Sequence, residues 1–176
     1  STLVASLGLR KYIYLIDNLH KSKITTNSYY SKIFMSYFKV RRNLSWQKAY
    51  FRILDENKNN FNLDFHDLLE LIYSKVGTFE PSYTSKIFAI INPEKPIWDK
   101  YVLEFYDLKV PHRSKTKNRL REIAKVYDEL ENETYKKIAD EKVQTQLEIF
   151  DKWFPEFQHI NPVKKLDTLI WKARDY

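Results

Sequence analysis

Two glycines are all that this 176-residue chain contains, Gly8 and Gly77, with six prolines beside them. A β-rich protein draws on glycine to reach positive φ in its many tight turns, and a chain this poor in glycine cannot make them. Leu, Ile, Lys and Glu instead fill long stretches in which apolar residues recur every three or four positions. Hydrophobic residues make up 43% and aromatics 16%, enough to build a core and too apolar for a disordered chain. The expectation is an all-α protein, a single compact domain over residues 1–176 of about eight or nine helices. It divides into basic N-terminal helices over 1–62, a hairpin and an Asp-bearing helix over 64–108, and C-terminal helices over 116–176. No repeat and no long linker interrupts it.

The central region carries the clearest punctuation. Leu68, Leu69, Ile72 and Val76 lie on one helical face, and Gly77 follows as a stop signal. Pro81 suits the first turn of the next helix, where its missing N–H costs nothing. Tyr83, Ile87, Ile90 and Ile91 form the next stripe, ended by Asn92-Pro93. Asp99 stands at an N-cap position ahead of Val102, Phe105 and Tyr106. The plain reading is a pair of packed helices and a capping aspartate. The sharper reading notes that the first N–H groups of the second helix lack partners and can hold a phosphate, with Asp99 one short loop away.

That arrangement resembles the helix–hairpin–helix DNA glycosylase superfamily over roughly residues 64–108. There a hairpin grips the DNA backbone, and a P-V-D-x-x-V-like segment carries the catalytic Asp. The matching residues here are Pro96, Ile97, Trp98, Asp99, Lys100, Tyr101 and Val102, with one extra residue between Pro and Asp. The hairpin turn reads Val76-Gly77-Thr78-Phe79-Glu80, with one glycine where the family usually has two. Some members place a lysine nucleophile at the start of the second hairpin helix. Pro81, Ser82 and Tyr83 occupy those positions here, and Lys86 lies about one turn later. The resemblance implies a DNA-binding, DNA-repair hydrolase in which Asp99 stabilises the cationic sugar left by the departing base. Glu80 and Ser82 would position water or substrate, Gly77 and Ser82 would sit against the phosphate, and the target base would leave the stack.

Charge points toward a polyanion independently. Residues 1–52 hold ten Lys/Arg against one acid, Asp17, whereas residues 53–176 hold twenty against twenty-two. The positive surplus therefore lies in the first third. Within it Lys39, Arg41 and Arg42 are flanked by Tyr37 and Trp46, a pattern suited to phosphate contact with an aromatic ring stacking on a base. A second run, Lys109 to Arg121, has six cations and no acid, among them Arg113, Lys115 and Lys117. The alternative for both runs is a solvated connector.

The other segments read as scaffold. A helix spans 3–19, Ser28 caps the next, and Asp55 to Asn62 forms a polar loop. Pro111 breaks the Asp99 helix, a long amphipathic helix runs to Ile138, and Pro155 ends another. In the last helix Lys164, Lys165, Lys172 and Arg174 face outward, and Asp167, among apolar neighbours, reads as an exposed helix residue, with lining a site as the alternative.

The absence of cysteine excludes disulfides and a four-cysteine iron–sulfur cluster, and fits a cytoplasmic protein. His20, His66, His112 and His159 are scattered, so neither zinc nor another cofactor is expected. No apolar run spans a membrane, and the start STLVASLGL is too weak for a signal peptide. Phosphate-loop, dinucleotide and serine-elbow motifs are missing. Three functions remain: Asp-assisted N-glycosidic cleavage in DNA, binding of DNA or RNA without chemistry, and a helical module for an acidic protein partner.

Overall fold

A computed structural model describes residues 2–111 and 116–173 of the chain. Among the described residues there are nine α-helices and no strand: α1 (Thr2–Asn18), α2 (Ser28–Phe38), α3 (Leu44–Asn57), α4 (Phe65–Val76), α5 (Pro81–Ile91), α6 (Lys100–Phe105), α7 (Thr116–Ile138), α8 (Glu141–Trp153) and α9 (Pro162–Ala173). One-turn 3-10 helices cover Ile24–Thr26 and Pro155–Phe157. None of the described helices is long and apolar enough to cross a membrane.

Short polar side chains start most of these helices by taking otherwise unpartnered N–H groups. Asn27 accepts from Tyr30 N at 3.0 Å, Asn43 from Trp46 N at 2.9 Å and Asp64 from Asp67 N at 2.7 Å. Asp99 accepts from Tyr101 N at 2.9 Å, and Asp140 accepts from Lys142 N and Val143 N. Ser28 is thus the first helical residue of α2, and the cap is its neighbour Asn27. Gly77 closes α4 in the left-handed conformation at φ 75°, and its N–H donates to Tyr73 O at 2.8 Å.

Buried side chains from all nine helices join one hydrophobic cluster. Helix α5 is its spine: Thr84, Ser85 and every residue from Ile87 to Ile91 are buried. Its neighbours include α4 and α1; α4 also packs on α3 and α7, and α9 on α6, α7 and α8. The loop from α5 to α6 is pinned on both sides. Trp98 N–H donates to Ser85 Oγ at 2.9 Å, and Tyr127 Oη donates to Pro96 O at 2.8 Å. Phe65 stacks flat on Tyr127 at 3.8 Å, with Trp98 parallel to it at 6.4 Å. These contacts set the position of Asp99.

Several expectations are corrected. Helix α3 runs through Asp55 to Asn57, so the polar stretch there is not all loop. Asp55 stays helical because its carboxylate bridges to another element: Oδ1 and Oδ2 accept Ile24 N and Thr25 N, both at 2.7 Å. Although burial opposes its charge, those two N–H groups and Lys58 hold Asp55 below the ordinary carboxylate range. The Asp99 helix ends at Phe105, six residues before Pro111, as Asp107 turns left-handed at φ 52°. Phe105 is 47% exposed, and Leu103 fills the core beside Val102 instead.

In α9, Lys164, Lys165 and Asp167 are buried and do not face outward. Burial of charge requires partners, and each has one. Lys164 Nζ donates to Asp167 Oδ2 and lies 5.5 Å and 5.4 Å from the ring centres of Tyr12 and Tyr37. Lys165 pairs with Asp151 at 2.5 Å and donates to Gln158 O at 2.8 Å. Lys172 is half-buried, and Arg174 lies outside the described residues.

Burial raises the pKa of Tyr12, Tyr30, Tyr37, Tyr50 and Tyr127 above the ordinary tyrosine value of 10.0. Above pH 10 the unfolded chain therefore releases phenolic protons that the folded chain keeps, and stability falls as pH rises. A spectrophotometric titration should show these phenols ionising together with loss of helical circular dichroism. Smooth ionisation of all tyrosines near pH 10 with the helices intact would contradict their burial.

Candidate nucleic-acid interface

The turn between α4 and α5, residues Gly77 to Glu80, collects cations from two distant parts of the chain. Glu80 is 5% exposed. Its carboxylate accepts Arg42 Nη2 at 2.6 and 2.8 Å and Thr78 Oγ1 at 2.8 Å. Phe79, one residue earlier, lies under Arg119 with the guanidinium carbon 4.5 Å from the ring centre, and stacks on Tyr73 at 4.8 Å. Consecutive turn residues thus each hold an arginine, one from the α2–α3 connection and one from the first turns of α7.

Cations and rings alternate across this face. The Arg42 guanidinium lies 5.6 Å from the Trp46 ring and 5.3 Å from Tyr83. Lys86 Nζ lies 4.6 Å from Tyr83 and 6.0 Å from Phe38. Read in order, the ladder is Trp46, Arg42, Tyr83, Lys86, Phe38. Trp46 is stacked on Tyr50 at 4.6 Å, and Tyr50 Oη donates to Tyr83 O at 2.7 Å, so the ladder is anchored to the core. Tyr37, the other ring considered for stacking on a base, packs 6.0 Å from Tyr12 and hydrogen-bonds Lys164.

The remaining candidates fall around this ladder. Lys39 is exposed and ends α2 in the left-handed conformation at φ 54°, followed by exposed Arg41. Gly77 is exposed at the turn. Ser82 is half-buried, and its Oγ accepts Lys86 Nζ at 3.2 Å. Lys117 is exposed in the first turn of α7. Arg113 and Lys115 lie outside the described residues. Asp99 is half-buried, spends Oδ1 on the cap of α6, and its charge acts on Lys86.

Two of the cavities lie near the Asp99 region: one adjoins the α5–α6 loop through Pro93, Lys95 and Ile97, and one lies beside the end of α6. One, of about 10 Å³, is lined by Tyr12, Phe38, Lys164 and Asp167 among others. The second is an open groove of about 450 Å³ beside Phe105, Asp107 and Lys137. Neither is lined by Asp99, Glu80 or Ser82. Among the described residues no group of three His, Cys, Asp or Glu could hold a metal.

Tyr83, Lys86 and Arg119 were not singled out from the sequence as interface residues. A weak signal existed for the first two: Ser82, Tyr83 and Lys86 are three and four positions apart on one helical face. Nothing in the spacing shows that Phe79 receives Arg119.

Burial lowers the pKa of Lys86 to about 8, against the opposing pull of Asp99, Asp167 and Glu80. Between this value and the ordinary lysine value of 10.5 the unfolded state holds a proton that the folded state has lost, so stability rises with pH across that window. Lys86→Met should stabilise the protein at pH 7 by about 3 kcal/mol, with the advantage shrinking between pH 8 and 10.5. Urea unfolding of both proteins across that range checks this, and a pH-independent difference would contradict it.

No family model, no curated protein and no solved structure matches the chain.

Proposed function

We propose that this protein binds DNA along its sugar–phosphate backbone, with the α4–α5 turn, the 39–42 segment and the start of α7 forming the contact surface. The observation that carries the reading is the docking of Arg42 and Arg119 on consecutive turn residues, which brings an arginine of the basic first third of the chain and one from the first turn of α7 to one place. Backbone binding is mostly a matter of cations at phosphate spacing, held in position by a rigid scaffold. The turn and α5 then act as the phosphate-gripping hairpin, with Lys39, Arg41, Gly77, Ser82 and Lys117 around it. Pairing with Arg42 offsets the negative charge of Glu80 at the turn. The alternating rings and cations also suit an unstacked base or a single strand, so RNA belongs among the ligands to be tested.

A second reading, excision of a base at Asp99, has one observation in its favour. The Asp99 carboxylate is held fixed by Tyr101 N–H and by the Trp98 anchor, within the electrostatic reach of Lys86. A negative group held in place is what an oxocarbenium-like sugar needs. Asp99→Asn should then abolish release of a damaged base, revealed by alkali cleavage, while DNA affinity stays close to wild type. Equal cleavage by the variant would remove Asp99 from the chemistry. A helical module for an acidic protein is the third function, and it predicts no nucleic-acid affinity even at low salt.

Lys39 and Arg41 make the cleanest test of binding because both are exposed. Lys39→Asn respects the left-handed backbone at that position. Combined with Arg41→Ala, it should weaken binding of a duplex oligonucleotide and reduce the slope of log K against log salt by about 2. An unchanged slope would contradict a backbone contact there.

A further inference from the structure

Ser82 and Lys86 stand four apart on α5, so one turn of the helix puts both side chains on the same face. Lys86 Nζ donates to Ser82 Oγ at 3.2 Å, within reach for a proton to pass between them. The backbone that carries the pair is fixed, because Thr84, Ser85 and the residues from Ile87 to Ile91 are buried. Ser82 and Lys86 themselves are only half-buried, so a small reactant can approach. Nζ lies beside the Tyr83 and Phe38 rings, at 4.6 and 6.0 Å from their centres. The charged groups acting on it are Asp99 before α6, Asp167 in α9 and Glu80 in the turn, and burial outweighs their pull. Its pKa of about 8 makes the free amine available near neutral pH, where an ordinary lysine at 10.5 is almost wholly protonated.

We propose that Ser82 is a nucleophile and Lys86 its general base, in an acyl-transfer site that hydrolyses small carboxylic esters. The inference goes beyond nucleic-acid binding and does not depend on it. Neutral Lys86 takes the Oγ proton as Oγ bonds to the carbonyl carbon. The resulting ammonium gives that proton to the leaving oxygen as the C–O bond breaks, so an alcohol departs and an acyl-Ser82 ester remains. Water then attacks the acyl carbon and passes a proton to Lys86. That proton returns to Oγ as the C–Oγ bond breaks and the carboxylic acid leaves. The Ser82 and Tyr83 N–H groups have no acceptor among the described residues and belong to the nucleophile's own residue and the next, so they can steady the carbonyl oxygen as it becomes negative. Ser82 lines neither cavity, so nothing there selects a large acyl group, and the substrate class is a short ester with a good leaving group.

The test treats the full chain with a fluorophosphonate, which phosphonylates activated serine hydroxyls with loss of fluoride, and locates the adduct by peptide mass mapping. Turnover of para-nitrophenyl acetate is followed in parallel. A single adduct on Ser82 is expected, at a rate that rises with pH and levels off above about 8. Ser82→Ala should abolish adduct and turnover together. Lys86→Met and Lys86→Arg should each slow phosphonylation about a hundredfold, the second although it keeps the charge. If Lys86 merely steadies the helix, both variants would react at the wild-type rate, and that outcome would overturn the inference. So would a rate still climbing through pH 10, which marks attack driven by hydroxide. Absence of an adduct, adducts scattered over other hydroxyls, or acetyl groups found on Lys86 and not on Ser82 would overturn it as well. A wild-type protein that binds no DNA fails the proposed function and leaves this inference standing.

Discussion

The carboxylate of Glu80 joins two segments that lie 38 positions apart in the chain, and the character of the whole face follows from that pair. Residues 39–43 are anchored through buried Val40 and the Asn43 cap, and the Glu80 pair adds the direction of the Arg42 side chain. With it, Arg42 is drawn onto the turn, its ring neighbours Trp46 and Tyr83 close on either side, and Lys86 completes the alternation with Phe38. A pair in which one partner is buried and the other half in water suits a contact surface. The buried member cannot be approached, and the half-exposed member keeps donors for a ligand. Phe79 provides the same service for Arg119 by dispersion and ring electrostatics, so the two sides of the turn are held by different physics.

The scaffold beneath this face is rigid for identifiable reasons. Helix α5 is buried over most of its length, and it links the turn to the Asp99 loop through Ser85 and Trp98. The stacked set Phe65, Tyr127 and Trp98 then ties that loop to α4 and α7. A ligand held at the turn and a group at Asp99 would therefore be fixed relative to one another by a continuous packed path. That path is what gives the excision reading its geometry; the small cavity lined by Ile97 adjoins the same loop, and Asp99 lines neither it nor the groove beside Phe105.

Much of the helical architecture was legible because its punctuation is local. Gly77 can stop α4, Pro81 can open α5 and Asp99 can cap α6 using only their own backbone preferences and nearest N–H groups. What could not be read depends on partners far along the chain. Lys164 and Asp167 are three apart in α9, the pattern of a solvated pair, and only Tyr12 and Tyr37 from the other end of the sequence turn it into a buried one. Asp55 looks like the start of a loop until its carboxylate is seen to serve two N–H groups some thirty positions upstream. The candidate site divides in the same way. The basic runs and the turn were visible in composition, whereas the Arg42–Glu80 pair and the Arg119–Phe79 contact are tertiary and leave no periodic trace.

The central claim is that one face, organised by the α4–α5 turn, receives a nucleic-acid backbone. Titrating isotopically labelled protein with a duplex oligonucleotide at low salt, and following the Nε–Hε signals of arginine with the backbone amides by NMR, tests it most directly. The account predicts that Arg42, Arg119, Ser82 and Tyr83 shift together in one saturable transition that weakens with added salt. Shifts confined to α8 and the groove beside Phe105, or none at any concentration, would contradict it.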